Sequence, residues 1–119
     1  MIKPPVYPRK RGATAYFDIE AFTGTPTGSE TVRAVLKVAR LNEFAPGDSA
    51  AIAAEFSVLY VAAVGAVKAY WRLTLSAAQT EVLAADIYIT DVRIEQGGVV
   101  IVTDPILVDF RERVTPPLA

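Results

Sequence analysis

The stretch "LTLSAAQTEVL", residues 73–83, begins in one kind of structure and ends in another. Leu73 and Leu75 flank Thr74 in the apolar–polar alternation of a half-buried strand. Ser76 and Gln79 then stand at capping-box spacing, S-x-x-Q, where each side chain satisfies a backbone N–H at a helix start. A long helix has no room to follow, because "DIYITDVRI" (86–94) returns to strand-like residues. The pattern predicts a single helical turn, with Val82 and Leu83 folded back onto the core. Such a turn carries the chain from one sheet to another.

Strands extend in both directions from this crossing. Upstream, "VKAYWRLTL" (67–75) alternates, with Val67, Ala69, Trp71, Leu73 and Leu75 inward and Lys68, Tyr70, Arg72 and Thr74 outward. Trp71 therefore reads as a core anchor. "AAVGA" (62–66) reads as a bend, and alternation from Ile52 through Phe56 to Tyr60 predicts a strand from about residue 52. "TAYFDIEAF" (14–22) puts Phe17, Ile19 and Ala21 on one face. "TVRAVLKVARL" (31–41) fits a helical stripe or a strand; its three valines and flanking turns favour strand. Downstream, residues 87–95 put Tyr88, Thr90, Val92 and Ile94 on one side. Gln96-Gly97-Gly98 predicts a hairpin, since glycine accepts the positive φ of its tight turn. The return strand, 99–111, holds Val100 and Val102, then Ile106, Val108 and Phe110; Pro105 cannot donate to a ladder and predicts an edge position or a bulge near Asp104. Short strands with turns every ~8–12 residues indicate an all-β, immunoglobulin-like, two-sheet antiparallel sandwich.

At 119 residues the chain is one domain by size. The expected boundaries are an extended basic Pro-rich arm at 1–12, the sandwich at 13–113 and a Pro-rich tail at 114–119. Neither end is expected to hold a strand of its own, because prolines mark both. The chain contains no cysteine and no histidine. Thiol chemistry and zinc–thiolate sites are excluded, and the commonest general base is missing. Asp91, Asp104 and Asp109 are catalytic candidates only by residue type. The expectation is no enzyme, no metal and no cofactor. The start does not read as a signal peptide, and the longest uncharged stretch, 56–67, falls short of the ~20 residues of a membrane-spanning helix. The chain reads as soluble, without a membrane partner.

Charge is unevenly placed. Lys3, Arg9, Lys10 and Arg11 lie in the first twelve residues with no acid among them, whereas the rest carries eight basic and thirteen acidic residues. A basic arm on an acidic body suggests docking on a partner, and these four residues are the candidate docking site. Four charges would hold nucleic acid only weakly and salt-sensitively, and the acidic body opposes it.

The run Leu73, Leu75, "SAAQTEVL", "YITDVRI", "QGG" and "ERVTPP", within residues 67–117, resembles small β-sandwich modules of tailed bacteriophages. It is similar to the N-terminal domain of the baseplate upper protein and to related head- and tail-associated proteins. The family often carries a glycine before the tyrosine strand, where Asp86 stands near here. The resemblance implies a virion structural protein, made in the host cytoplasm, that docks on other virion proteins such as major capsid or tail proteins. A capsid-decorating or cement role is slightly favoured over a tail or baseplate role. Such proteins assemble around symmetry axes, so a homo-oligomer such as a trimer is expected. Glycan binding through Tyr16, Tyr70 and Phe22 is the alternative from a different class.

Overall fold

The computed structural model describes residues 4–20, 26–39, 46–47 and 50–116. The fold is all-β with two sheets and one short helix. Its strands are β1 (Val6–Lys10), β2 (Ala15–Glu20), β3 (Thr31–Val38), β4 (Ala54–Glu55), β5 (Ser57–Val61), β6 (Tyr70–Leu75), β7 (Asp86–Thr90), β8 (Val92–Gln96), β9 (Val99–Val102) and β10 (Ile106–Arg111). The helix α1 (Ala77–Glu81) lies between β6 and β7.

The small sheet has the order β2-β6-β5. The large sheet holds the other strands, and two of its breaks are local. β7 and β8 meet β3 in one continuous register, from Val38↔Tyr88 through Ala34↔Val92 to Thr31↔Glu95. They form a single long strand interrupted at Asp91. The return strand does not keep step with it. Val102 faces Arg93, yet Ile106 faces Thr90. One extra residue sits between the two pairs, which is the bulge that Pro105 predicted. The Thr103 hydroxyl accepts from the Val92 N–H at 3.0 Å, so that amide keeps a partner beside the bulge.

Two short devices link the sheets. β4 pairs with β3 and β5 pairs with β6, so the strand changes sheets at Phe56, which is buried. The second device is α1. Ser76 Oγ accepts from Gln79 N at 3.1 Å, and Gln79 Oε1 accepts from Ser76 N at 2.9 Å, completing the expected capping box. Gln79 Nε2 also donates to the Glu55 carbonyl at 3.2 Å, tying the helix to the sheet-switching strand. Gly97 and Gly98 carry φ of 57° and 80° in the β8–β9 turn, as a two-residue hairpin requires.

The core lies between the sheets. Phe17, Leu73 and Leu75 meet Leu36, Tyr88, Val92, Val108 and Phe110 there, and Leu83 folds back into it. Trp71 is 3% exposed and packs against Tyr60 with ring centroids 6.3 Å apart, so the register of β6 is as read.

Five expectations are corrected. Val82, expected to fold back onto the core beside Leu83, points to solvent at the end of α1 and is 82% exposed. Residues 6–10 do form a strand, β1, despite Pro8. That pairing, with β10, is parallel, whereas the sandwich was expected to be wholly antiparallel. Val67 is exposed, because Val64 and Val67 close a tight turn with reciprocal backbone bonds of 3.0 and 2.9 Å that projects beyond the sheet. The strand expected from residue 52 starts at Ala54, and Ile52 is exposed. Ala21 and Phe22 lie outside the described residues.

Candidate functional site

The predicted docking residues start the chain's path along the large sheet. Lys3 lies outside the described residues. Arg9 places its guanidinium 4.4 Å from the Phe17 ring centroid and donates to the Pro8 carbonyl at 2.8 Å. Lys10 Nζ donates to the Glu112 carbonyl at 3.2 Å. Arg11 is the most engaged: its Nη2 donates to the Glu81 carbonyl at 2.8 Å, its Nε to the Leu83 carbonyl, and its Nη1 pairs with the Glu112 carboxylate. Lys10 and Arg11 thus converge on Glu112, and Arg11 fastens β1 to the end of α1.

Thr80 is the centre of this seam. It is fully buried, donates to the Ala13 carbonyl at 2.8 Å and accepts from the Gly12 N–H at 3.0 Å. The threonine of the "SAAQT" run therefore anchors the turn between β1 and β2. Gly12 has a φ of +79°, and a Cβ there would run into the side chains of Arg113 and Glu81. Those two form a bidentate ion pair, with Arg113 Nη2 2.9 Å from Glu81 Oε1. The Arg113 guanidinium holds the Glu81 carboxyl below the ordinary carboxylate range. On the outer face of the small sheet Arg72 grips Asp18 with bonds of 2.8 and 3.0 Å and lowers its pKa. Burial raises the Tyr88 phenol, which donates to the Ala84 carbonyl at 2.9 Å.

The glycan candidates are partly occupied by the protein itself. Tyr16 is exposed, but the Arg72 guanidinium covers its ring at 4.5 Å and lies 5.8 Å from the Tyr70 ring. Phe22 is outside the described residues. Asp109 pairs with Arg111 at 2.9 Å. Asp91 lines a groove on the outer face of the large sheet, and Asp104 sits in the bulge. Among the described residues no group of three or more carboxylates is placed to hold a metal ion. No described helix is long and apolar enough to cross a membrane.

That groove measures about 570 Å³, and Ile89 and Val35 form part of its lining. Its cations are partnered. Arg33 binds Glu55 at 3.0 and 3.2 Å, and Arg93 binds Glu95 at 3.3 Å. Ile89 is 4% exposed although it faces away from the core, so period-two reading missed it.

The larger miss is β9, whose Val100 and Val102, read in line with Ile106, Val108 and Phe110, are exposed. Its four residues, Val99, Val100, Ile101 and Val102, are 61%, 45%, 56% and 52% exposed. The signal was present in the sequence: four apolar residues in succession cannot all face one core when side chains alternate. No family model matches the chain, and no curated protein is found to match it.

Proposed function

We propose that the chain is a non-enzymatic structural protein of a tailed-bacteriophage virion, docking on other virion proteins, with capsid decoration ahead of a tail or baseplate position. The observation that carries this reading is the role played by the run that resembles phage sandwich modules. Ser76 and Gln79 cap α1, Thr80 anchors the β1–β2 turn, Tyr88 is core and Gly97-Gly98 turns the hairpin. The resembling residues are thus spent on architecture, as expected of a module kept for its shape. The parallel pairing of β1 with β10 supports docking arms, because the segments beyond these strands leave from opposite ends of one sheet edge. The basic residues available to a partner are those least engaged within the chain, Arg9 and Lys10 ahead of Arg11.

The test is mass spectrometry of gradient-purified particles of the phage or prophage that encodes this sequence. A copy number comparable to known structural proteins supports the reading. Abundant protein in the lysate with none in the particles overturns it. A cryo-EM map of the same particles separates head from tail.

A further inference from the structure

The outer edge of the long return strand is covered over one half and open over the other. β1 lies along β10 from Val6↔Leu107 to Lys10↔Arg111. Among the described residues no strand lies along the corresponding side of β9, whose one partner is β8. In the β8–β9 ladder the Thr103 N–H donates to Val92 at 2.9 Å. Antiparallel alternation then turns Val99 and Ile101 toward β8, and the N–H and C=O groups of Val100 and Val102 toward the open side.

We propose that a second copy of this chain fills that edge, with β9 pairing antiparallel to its own counterpart across a two-fold axis. The register centred on Ile101 opposite Ile101 of the copy sets Val100 against Val102 in both directions. It satisfies all four outward-pointing N–H groups of the pair. No charge lies in 99–102, so the strand does not repel itself. In this register the copy's Gly97-Gly98 turn falls opposite Asp104 and Pro105, where the covered half begins. The open length thus matches the hairpin that would fill it.

The other edges favour this occupant over a head-to-tail neighbour. Leu107 N donates to the Pro5 carbonyl and Arg11 N to the Arg111 carbonyl, so odd-numbered residues of β1 face β10 and Pro8 faces outward. An outward proline has no N–H to offer, and Lys10 beside it adds charge; both are standard guards against strand addition. β2 carries Asp18 and Glu20. β5 has no charge, but Tyr60 Oη donates to the Pro26 carbonyl at 3.0 Å, and Gly28 lies against the Tyr60 ring. Among the described residues, β9 and β5 are the edges with neither charge nor proline, and of the two only β5 has a neighbouring segment, 26–28, against one of its side chains. A four-residue strand pair buries a small area, so the dimer is expected to be weak and concentration-dependent.

The inference concerns the purified chain with no particle present, so it stands or falls apart from the virion reading. Sedimentation velocity over a concentration series into the high micromolar range should show a monomer–dimer equilibrium. In parallel, amide exchange at Val100 and Val102 should slow as concentration rises, while amides of β1 stay unchanged. Ile101→Lys and Ile101→Glu should each abolish the dimer with unaltered melting, and their equimolar mixture should restore it. Three results would each overturn the proposal. The wild-type chain could remain monomeric throughout. The dimer could survive both charges. The Val100 and Val102 amides could be protected at every concentration, which would mean that the chain's own terminal residues cover the edge.

Discussion

β9 and β10 belong to one return strand, are separated by a single bulge, and have comparable apolar content, yet they end in opposite environments. In β10, Leu107, Val108 and Phe110 are at most 2% exposed, whereas every residue of β9 is at least 45% exposed. β10 has the core beneath it and β1 beside it, held by Arg11, Thr80 and the Arg113–Glu81 pair. β9 has no residue in the core cluster, and among the described residues no strand lies along its second side. Apolar composition therefore does not decide burial here. What decides it is whether a second sheet reaches beneath the strand and whether another segment lies along its edge.

This contrast can be tested by substitutions that should strike both halves, one half, or neither. Trp71→Ala comes first, because it removes a large buried side chain of the small sheet. It should cost about 3–5 kcal/mol in chemical denaturation, and, because the fold unfolds as one unit, speed global amide exchange in β10 and β8 alike. A loss below about 1 kcal/mol would contradict the inward register of β6.

Thr80→Val should act on the covered half alone. It leaves the Gly12 N–H and the Ala13 carbonyl without their buried partner, at about 2–3 kcal/mol. Exchange should accelerate in β1 and in the 11–14 turn, with β9 amides unmoved. Equal acceleration in β9 would break the comparison. Gly12→Ala should follow at about 1–2 kcal/mol, because φ of +79° strains any side chain there. The added methyl would also press on the Arg113–Glu81 pair, so the loss should show in the same denaturation curves.

The smallest effect is electrostatic. The Glu81 carboxyl titrates below its ordinary value in the folded chain because Arg113 binds it. Its contribution to stability is present above the unfolded-state value near 4.5 and is lost as pH falls through the lowered folded value. Wild type should therefore melt above Glu81→Gln at pH 7 and converge with it in acid. A gap that persists unchanged to about pH 2 would assign the difference to packing rather than charge.

Much of this was legible in the residues. The S-x-x-Q spacing identified α1 because a capping box depends only on atoms three residues apart. Gly97-Gly98 identified the hairpin for a similar reason: few residues accept positive φ at both turn positions. The inward set Ala69, Trp71, Leu73 and Leu75 followed from simple alternation, and Pro105 pointed to an edge or a bulge, of which the structure has the bulge, because a missing N–H interrupts a ladder wherever it faces a partner strand. The candidate site was less legible. Arg11 and Lys10 read as a free basic arm, because nothing nearby in sequence reveals that Glu112, a hundred residues on, lies beside them. Pro8 argued against a strand, yet a parallel edge strand tolerates proline wherever its missing N–H faces away from the neighbour.

By itself the sequence determined the features that arise within a few residues: alternating faces, the cap, the glycine turn, the bulge, and a chemistry without thiol or imidazole. Tertiary structure alone decided which strand edges are covered. Whether β1 lies beside β10, and whether the small sheet reaches beneath β9, depends on where separately folded segments meet. Period-two alternation assigns side chains to faces, but it carries no information about what lies against each face or along each edge.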